Sequence, residues 1–407
     1  MKQLSKIMLA AVATIAFVMP AMAWDFGVSG SAFSRWRHTT TNDGTVAAKD
    51  AVNNRFDSEG SKVTITSANT DGANTASFSY SAGWNPDPGN FDESVSLSGS
   101  KTVGEWTASS STSAYMIQDA GDADQAVNHA NGIGHSQHAA TTAAITLTNG
   151  SITYKLGDAA HLSTSEKAVN GPMGGAVDAE ARVDSFNGFS VGLGVGPGTL
   201  TVAFDENKAA TALGEGTMTL ACGNQTTGFG LNFAGDVGAD VSFTYASGSA
   251  TPDADTCTSV VSAATATEVA STYNNKGNSA SSSTMGLGVA VPISGMSLAL
   301  DYESTATSST DNATATTYAQ SGYELSFTLP VSDATVGINI SSQARSTKVG
   351  TGTAADASSA GTEVWYSTPI GPVTLAVGYG SVGVTTGSTT KVTAVTSEMG
   401  AKMSMSF

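Results

Sequence analysis

From Trp24 to Phe407, apolar and polar residues alternate with a period of two in one run after another. Trp24, Phe26, Val28, Ala32 and Trp36 share one parity, and Asp25, Ser29, Ser31, Arg35 and Arg37 the other. Phe189, Val191, Leu193 and Val195 run into Gly196-Pro197-Gly198, and Leu200, Val202 and Phe204 leave it. Met285 to Val291, Met296 to Tyr302, Tyr323 to Leu329, Val336 to Ile340 and Val373 to Tyr379 repeat the form. Such alternation predicts strands with one apolar and one polar face. Paired runs joined by Asp71-Gly72, Asn149-Gly150, Ser332-Asp333 and Gly371-Pro372 predict hairpins. One opening strand, eight hairpins and one closing strand give 18 strands; without the poorly alternating pair Phe91 to Tyr115 the number is 16.

Two architectures bury or cover an apolar face of this kind. A sandwich packs it against a second sheet, and a membrane barrel turns it to lipid around a polar lumen. Loop lengths separate them. Alternate connections are short, and those between them reach about 35 residues, as from Ser249 to Ser283. Short turns at one end and long loops at the other are the outer-membrane arrangement. Strands in lipid cannot leave an open edge, so the sheet must close. The expected fold is all-β: a transmembrane antiparallel β-barrel of 16–18 strands with short periplasmic turns and long extracellular loops. Trp24, Trp36, Tyr80, Trp84, Tyr245, Tyr302, Tyr366, Tyr379 and Phe407 fall near strand ends, where rings sit half in lipid and half in water.

Residues 1–23 read as a cleaved export signal. Lys2 and Lys6 precede an apolar run too short to span a bilayer, and Ala21-Met22-Ala23 is a small-x-small cleavage site. Residues 24–407 then form the barrel domain, and losing both lysines takes the formal charge from −17 to −19. Charged residues are 13% of the chain, low for a soluble domain, and Ser, Thr, Gly, Ala and Asn fill the gap. Such a composition also suits a disordered, glycosylated stalk, against which the aromatics and aliphatics recur in alternation. Export permits a disulfide between Cys222 and Cys257, both in loops. Acidity argues against a nucleic-acid partner. His129, His135 and His138 share a loop with Asp119, Asp122 and Asp124, but the spacing matches no tight zinc pattern. No ordered Ser/His/acid site is apparent, so neither enzyme activity, metal nor cofactor is expected.

One copy of the repeated unit stands apart. Ile145 and Leu147 lead through Asn149-Gly150 to Ile152, Tyr154 and Leu156, and alternation stops after Gly157-Asp158. A polar loop of over twenty residues follows, ending in Gly-Pro-Met-Gly-Gly. At this stretch the chain resembles the Gram-negative general porins. WDFGVSGSAFSRW resembles their first strand, SKVTITSANTDGANTASFSYS their next hairpin, and NGSITYKLGDAAHLSTSEKA the hairpin that opens their constriction loop. The terminal Phe407 resembles their signal to the barrel-assembly machinery.

The resemblance implies a homotrimer in the outer membrane, in contact with lipid and lipopolysaccharide, passing small hydrophilic solutes. It implies a loop folded into the lumen, here about 158–180, with acids Asp158, Glu166, Asp178 and Glu180. It also implies a basic facing wall, for which parity offers Arg35, Arg37, Lys62, Lys155 and Arg182. If the pair Phe91 to Tyr115 is a true hairpin, Ile117 to Ala140 becomes the third long loop and a rival for the constriction. The net charge predicts weak cation preference. The alternatives are a substrate-specific channel and a plugged structural or adhesive barrel.

Overall fold

The computed structural model describes residues 25–44, 51–57, 61–84, 91–117, 140–159, 161–162, 166–171, 186–209, 224–252, 279–311, 314–387 and 392–407. The export signal and both cysteines lie outside these residues, as do Asp178, Glu180, Arg182 and the histidines at 129, 135 and 138. Nineteen strand segments form one antiparallel sheet. By contacts the chain divides into two compact units. Unit 1 holds residues 1–33, 58–149 and 404–407, and unit 2 holds 34–57 and 150–403.

β1 (Asp25–Asn42) has two partners along one edge. Its first half pairs with β3 (Ser61–Asp71), Gly30 opposite Val63. Its second half pairs with β2 (Ala51–Asp57), Arg37 opposite Arg55. β2 and β3 are thus two pieces of one stave. The other edge of β1 takes β19 (Val392–Ser406), so the sheet closes and no edge is left for lipid. The nineteen segments make an antiparallel β-barrel of 18 staves, the larger of the two expected numbers.

The extra two staves are the poorly alternating pair. β5 (Phe91–Val103) and β6 (Trp106–Ile117) meet at Gly104-Glu105, Val103 opposite Trp106. Their Ser and Thr content on both faces hides the alternation, but the turn glycine at φ 62° supplies what a tight hairpin needs. The other hairpins are β3 with β4 (Asn74–Trp84), β7 (Ala140–Thr148) with β8 (Ile152–Ala159), and β9 (Phe186–Val195) with β10 (Gly198–Ala209). They continue as β11 (Asn224–Asp236) with β12 (Asp240–Pro252), and β13 (Ser279–Ile293) with β14 (Met296–Asp311). β15 (Thr314–Val331) with β16 (Ala334–Val349), and β17 (Ala355–Ile370) with β18 (Val373–Thr386), complete the set. β11 runs through Gly235-Asp236 and turns where Gly238 takes positive φ, and β13 runs through Pro292-Ile293 and turns where Ser294 and Gly295 do.

The burial is inside-out relative to a soluble sheet. Phe204 is 51% exposed and Val364 50%, whereas Asp301, Glu324 and Glu363 are 1% exposed and Asn339 is fully covered. Among the described residues no second sheet covers the apolar face, which argues against the sandwich and leaves lipid as its solvent. On this face Tyr154 stacks on Phe189 at 6.3 Å and Phe204 meets Phe229 edge-on at 5.6 Å. A lysine at Ile338, within the apolar band of β16, is expected to destabilise the folded barrel by about 2–4 kcal/mol. Ser98→Lys, on the opposite face of β5, should cost little. Denaturant titration in lipid vesicles compares the two, and equal costs would contradict the assignment of faces.

Candidate functional site

Unit 2 carries the site, and it begins where β8 ends. Residues 161–162 and 166–171, between β8 and β9 in sequence, lie on the inner, polar face of the sheet. His161 is buried against β9: its Nδ1 lies 2.9 Å from Ser190 Oγ and its Nε2 2.8 Å from the Gly157 carbonyl oxygen. Leu162 sits on Gly230 of β11, where a Cβ would occupy the leucine's own space. The segment then reaches β14. Lys167 N–H donates to both carboxylate oxygens of Asp301 at 2.9 Å, and Ala168 N–H donates to Oδ2 at 2.6 Å. Val169 N–H donates to Ser326 Oγ of β15 at 3.0 Å. Asn170 Oδ1 accepts from Asn339 Nδ2 of β16 at 3.3 Å. Gly171 N–H donates to Glu363 Oε2 of β17 at 3.2 Å. The described residues 161–162 and 166–171 therefore meet the inner face at strands from β9 to β17.

The wall under the segment is acidic. Asp301 and Glu324 stand directly opposite each other on β14 and β15, and Asn339 stands opposite Glu363 on β16 and β17. Two like charges in direct opposition disfavour each other, more so when buried. The backbone N–H groups of the segment offset this by aiming their dipoles at Asp301 and Glu363. Asn339 Nδ2 donates to Glu324 Oε1 at 3.5 Å. A fourth acid, Glu303 of β14, accepts from Gln320 Nε2 and Gln343 Nε2, each at 2.7 Å. Lys167 aims its ammonium at Asp240, 2.8 Å away at the start of β12.

Of the acids expected on the loop and the bases expected on the wall, Asp158, Glu166, Arg35, Arg37, Lys62 and Lys155 lie among the described residues. Glu166 is exposed at the start of the docked segment. Asp158 lies at the end of β8, its backbone opposite Asn187. Arg35 and Arg37 are half-buried on β1, and Arg37 NH1 meets Glu398 Oε2 of β19 at 3.5 Å, with Thr39 Oγ1 donating to the same oxygen at 3.1 Å. Lys155 is half-buried on the inner parity of β8, and Lys62 is exposed on that of β3 in unit 1. Phe407 pairs with Gly30, also in unit 1. The residues that hold the segment are instead Asp301, Ser326, Asn339 and Glu363, together with Trp365. Asp301, Glu303, Glu324 and Glu363 all fall on the polar parity of their strands, and nothing local marks which of them meets the loop.

Among the described residues, the Ser/His contact that bears on catalysis is His161 with Ser190. Both side chains are buried, and the second ring nitrogen faces a carbonyl oxygen where an activated pair has a carboxylate. That geometry fastens the start of the segment to β9. Among the described residues no three His, Cys, Asp or Glu side chains are grouped to hold a metal.

No protein-family model matches the chain, and no curated protein does. Among solved structures, the outer membrane channel DcaP of Acinetobacter baumannii superposes with a TM-score of 0.51 at 10% identity, over 95% of this chain and 98% of that one. The two share a fold. An anion-selective porin from Comamonas acidovorans matches at 0.48 and 11% identity, over 95% of this chain and all of that one. The trimer form of OmpT, an outer membrane protein of Vibrio cholerae, matches at 0.47 and 9%, over 95% and 100%.

Proposed function

We propose that the chain forms a water-filled outer-membrane channel for passive diffusion of small hydrophilic solutes and ions, with a weak preference for cations. The observation that carries this reading is the segment 166–171, held on the inner face of the wall by Asp301, Ser326, Asn339 and Glu363. A barrel of 18 staves is wide enough for water, and a segment of backbone laid along its inner face narrows it. No chemistry is required of the protein: passage follows size and charge. The cation preference rests on Glu303, Asp240 and the covered acids beside them, which raise the local concentration of positive ions. The resemblance of the first strand, the second hairpin and the constriction hairpin to those of general porins supports a homotrimer in the outer membrane, exported by the signal at 1–23 and assembled through Phe407.

Planar-bilayer recording tests it. Purified protein should give stepwise conductance, and a KCl gradient should give a reversal potential of the sign for cations. Because exposed charges are screened over about 10 Å at 0.1 M salt and 3 Å at 1 M, the preference should shrink as salt rises. Glu303→Gln removes a charge while keeping its amide partners in reach, and should lower the cation-to-anion permeability ratio by roughly a third to a half. Absence of conductance would favour a plugged surface barrel, and saturable block by one solute a substrate-specific channel.

A further inference from the structure

We infer that Trp365 is a positioning residue: its indole is the stop that sets how closely the segment 166–171 approaches the wall, and so the bore of the channel. The inference rests on the channel reading above. Trp365 lies on β17 between Val364 and Tyr366, which are 50% and 40% exposed on the outer face. By alternation its own side chain points inward, beside Glu363. A large aromatic on the wetted face of a pore is expected to be exposed, yet Trp365 is only 8% exposed.

Two glycines cover it. Gly337 stands directly opposite on β16, and a Cβ there would overlap indole Cε2, Cζ2 and Nε1. The ring therefore lies over the backbone of β16. Gly171 closes from the other side, where a Cβ would overlap Trp365 Cδ1 and the Glu363 carboxylate. The ring is a spacer between the wall and the last described residue of the segment.

Hydrogen bonding does not hold the ring. Its Nε1 is buried and has no acceptor among the described residues. Position is set by contact alone, which is what a stop requires. Attraction comes from next door: Glu363 draws in the Gly171 N–H, and Asp301 draws in those of Lys167 and Ala168. Carboxylates pull the segment toward the wall, and the indole limits how far it comes.

The opposed forces give variants of opposite sign. Gly171→Ala adds a methyl between segment and ring, pushes the segment off the wall, and should lower single-channel conductance by roughly 1.2- to 1.5-fold. Trp365→Ala removes the stop, lets the segment settle inward toward the wall, and should raise conductance by about the same factor. Trp365→Phe keeps a flat but smaller ring without the N–H, and should fall between the unsubstituted protein and Trp365→Ala. In the double variant the new methyl no longer meets the ring and should lose most of its effect, so conductance should stay near that of Trp365→Ala, whereas additive shifts of equal size would return it to the starting value. That coupling is what a general loosening of the loop cannot produce. All four variants are recorded in planar bilayers beside the unsubstituted protein, with solute cut-off in vesicle-swelling assays as a second readout. Gly171 belongs to no strand, so Gly171→Ala leaves every ladder intact and decides the matter if Trp365→Ala does not assemble. Unchanged conductance in Gly171→Ala, shifts of the same sign, or plain additivity overturn the role of Trp365. A silent unsubstituted protein overturns the channel reading instead.

Discussion

Asp301→Ala should release the segment on the inner wall while leaving the barrel assembled. Asp301 is 1% exposed and accepts from two backbone donors, Lys167 N–H through both oxygens and Ala168 N–H through Oδ2. The alanine leaves both donors unpaired where water does not reach them. Each such group costs about 1–3 kcal/mol, more than an ordinary hydrogen bond contributes, so docking should weaken by about 2–6 kcal/mol. The strand ladders of β14 use backbone groups and are untouched, which separates this effect from unfolding. The expected result is a protein that still migrates as a folded barrel on unheated gels but conducts with large, frequent fluctuations. Amide exchange at Lys167 and Ala168 should speed by orders of magnitude. Asp301→Asn retains one carbonyl oxygen and should fall between. Quiet conductance and unchanged exchange in Asp301→Ala would show that the remaining contacts, from Ser326, Asn339 and Glu363, suffice to hold the segment.

The wall was more legible in the sequence than the site on it. Period-two alternation needs only neighbours to be read, because each strand must offer lipid an unbroken apolar face. Turn chemistry at Asn149-Gly150, Ser332-Asp333 and Gly371-Pro372 marked where strands reverse. Signals failed where both faces carry small polar residues, as in β5 and β6, and where a short piece such as β2 offers only Val52 and Phe56. Parity also sorted Asp301, Glu303, Glu324 and Glu363 to the inner face. It could not say that Asp301 meets Lys167 across 134 positions or Glu363 meets Gly171 across 192. Those contacts depend on the height of each residue along tilted strands, which no local pattern encodes. The resemblance to porins led to acids on the loop and bases on the wall. In unit 2 the described loop residues bring N–H groups and Lys167 to a wall of acids. Trp365 had a signal that was open to reading: it sits at the polar parity of an otherwise regular strand, where a large aromatic is out of place.

Gly30→Val should strike harder than any change at the inner segment, because it acts on closure itself. Gly30 donates its N–H to the Phe407 carbonyl at 2.8 Å, and Phe407 donates back to the Gly30 carbonyl at 3.0 Å. The Phe407 ring folds over this position: a Cβ on Gly30 would lie 2.5 Å from Cζ, 2.9 Å from Cε2 and 2.8 Å from the Lys62 carbonyl oxygen. The ring can rotate away, but the Lys62 oxygen belongs to the neighbouring strand β3 and cannot yield without moving that strand. Valine therefore forces β1 away from one neighbour or the other. Either way, backbone groups paired at the seam turn toward hydrocarbon, at several kcal/mol for each group left unpaired. The folded fraction in vesicles, read as the mobility difference between heated and unheated samples, should fall by most of its value. Phe407→Ala keeps both backbone bonds and removes only the ring, so it should reduce the folded fraction less than Gly30→Val if geometry at the seam decides. If the terminal aromatic acts chiefly as an address for assembly factors, the order reverses in cells but not in vesicles. Running both variants in both settings thus separates the ring as a cover for Gly30 from the ring as a signal.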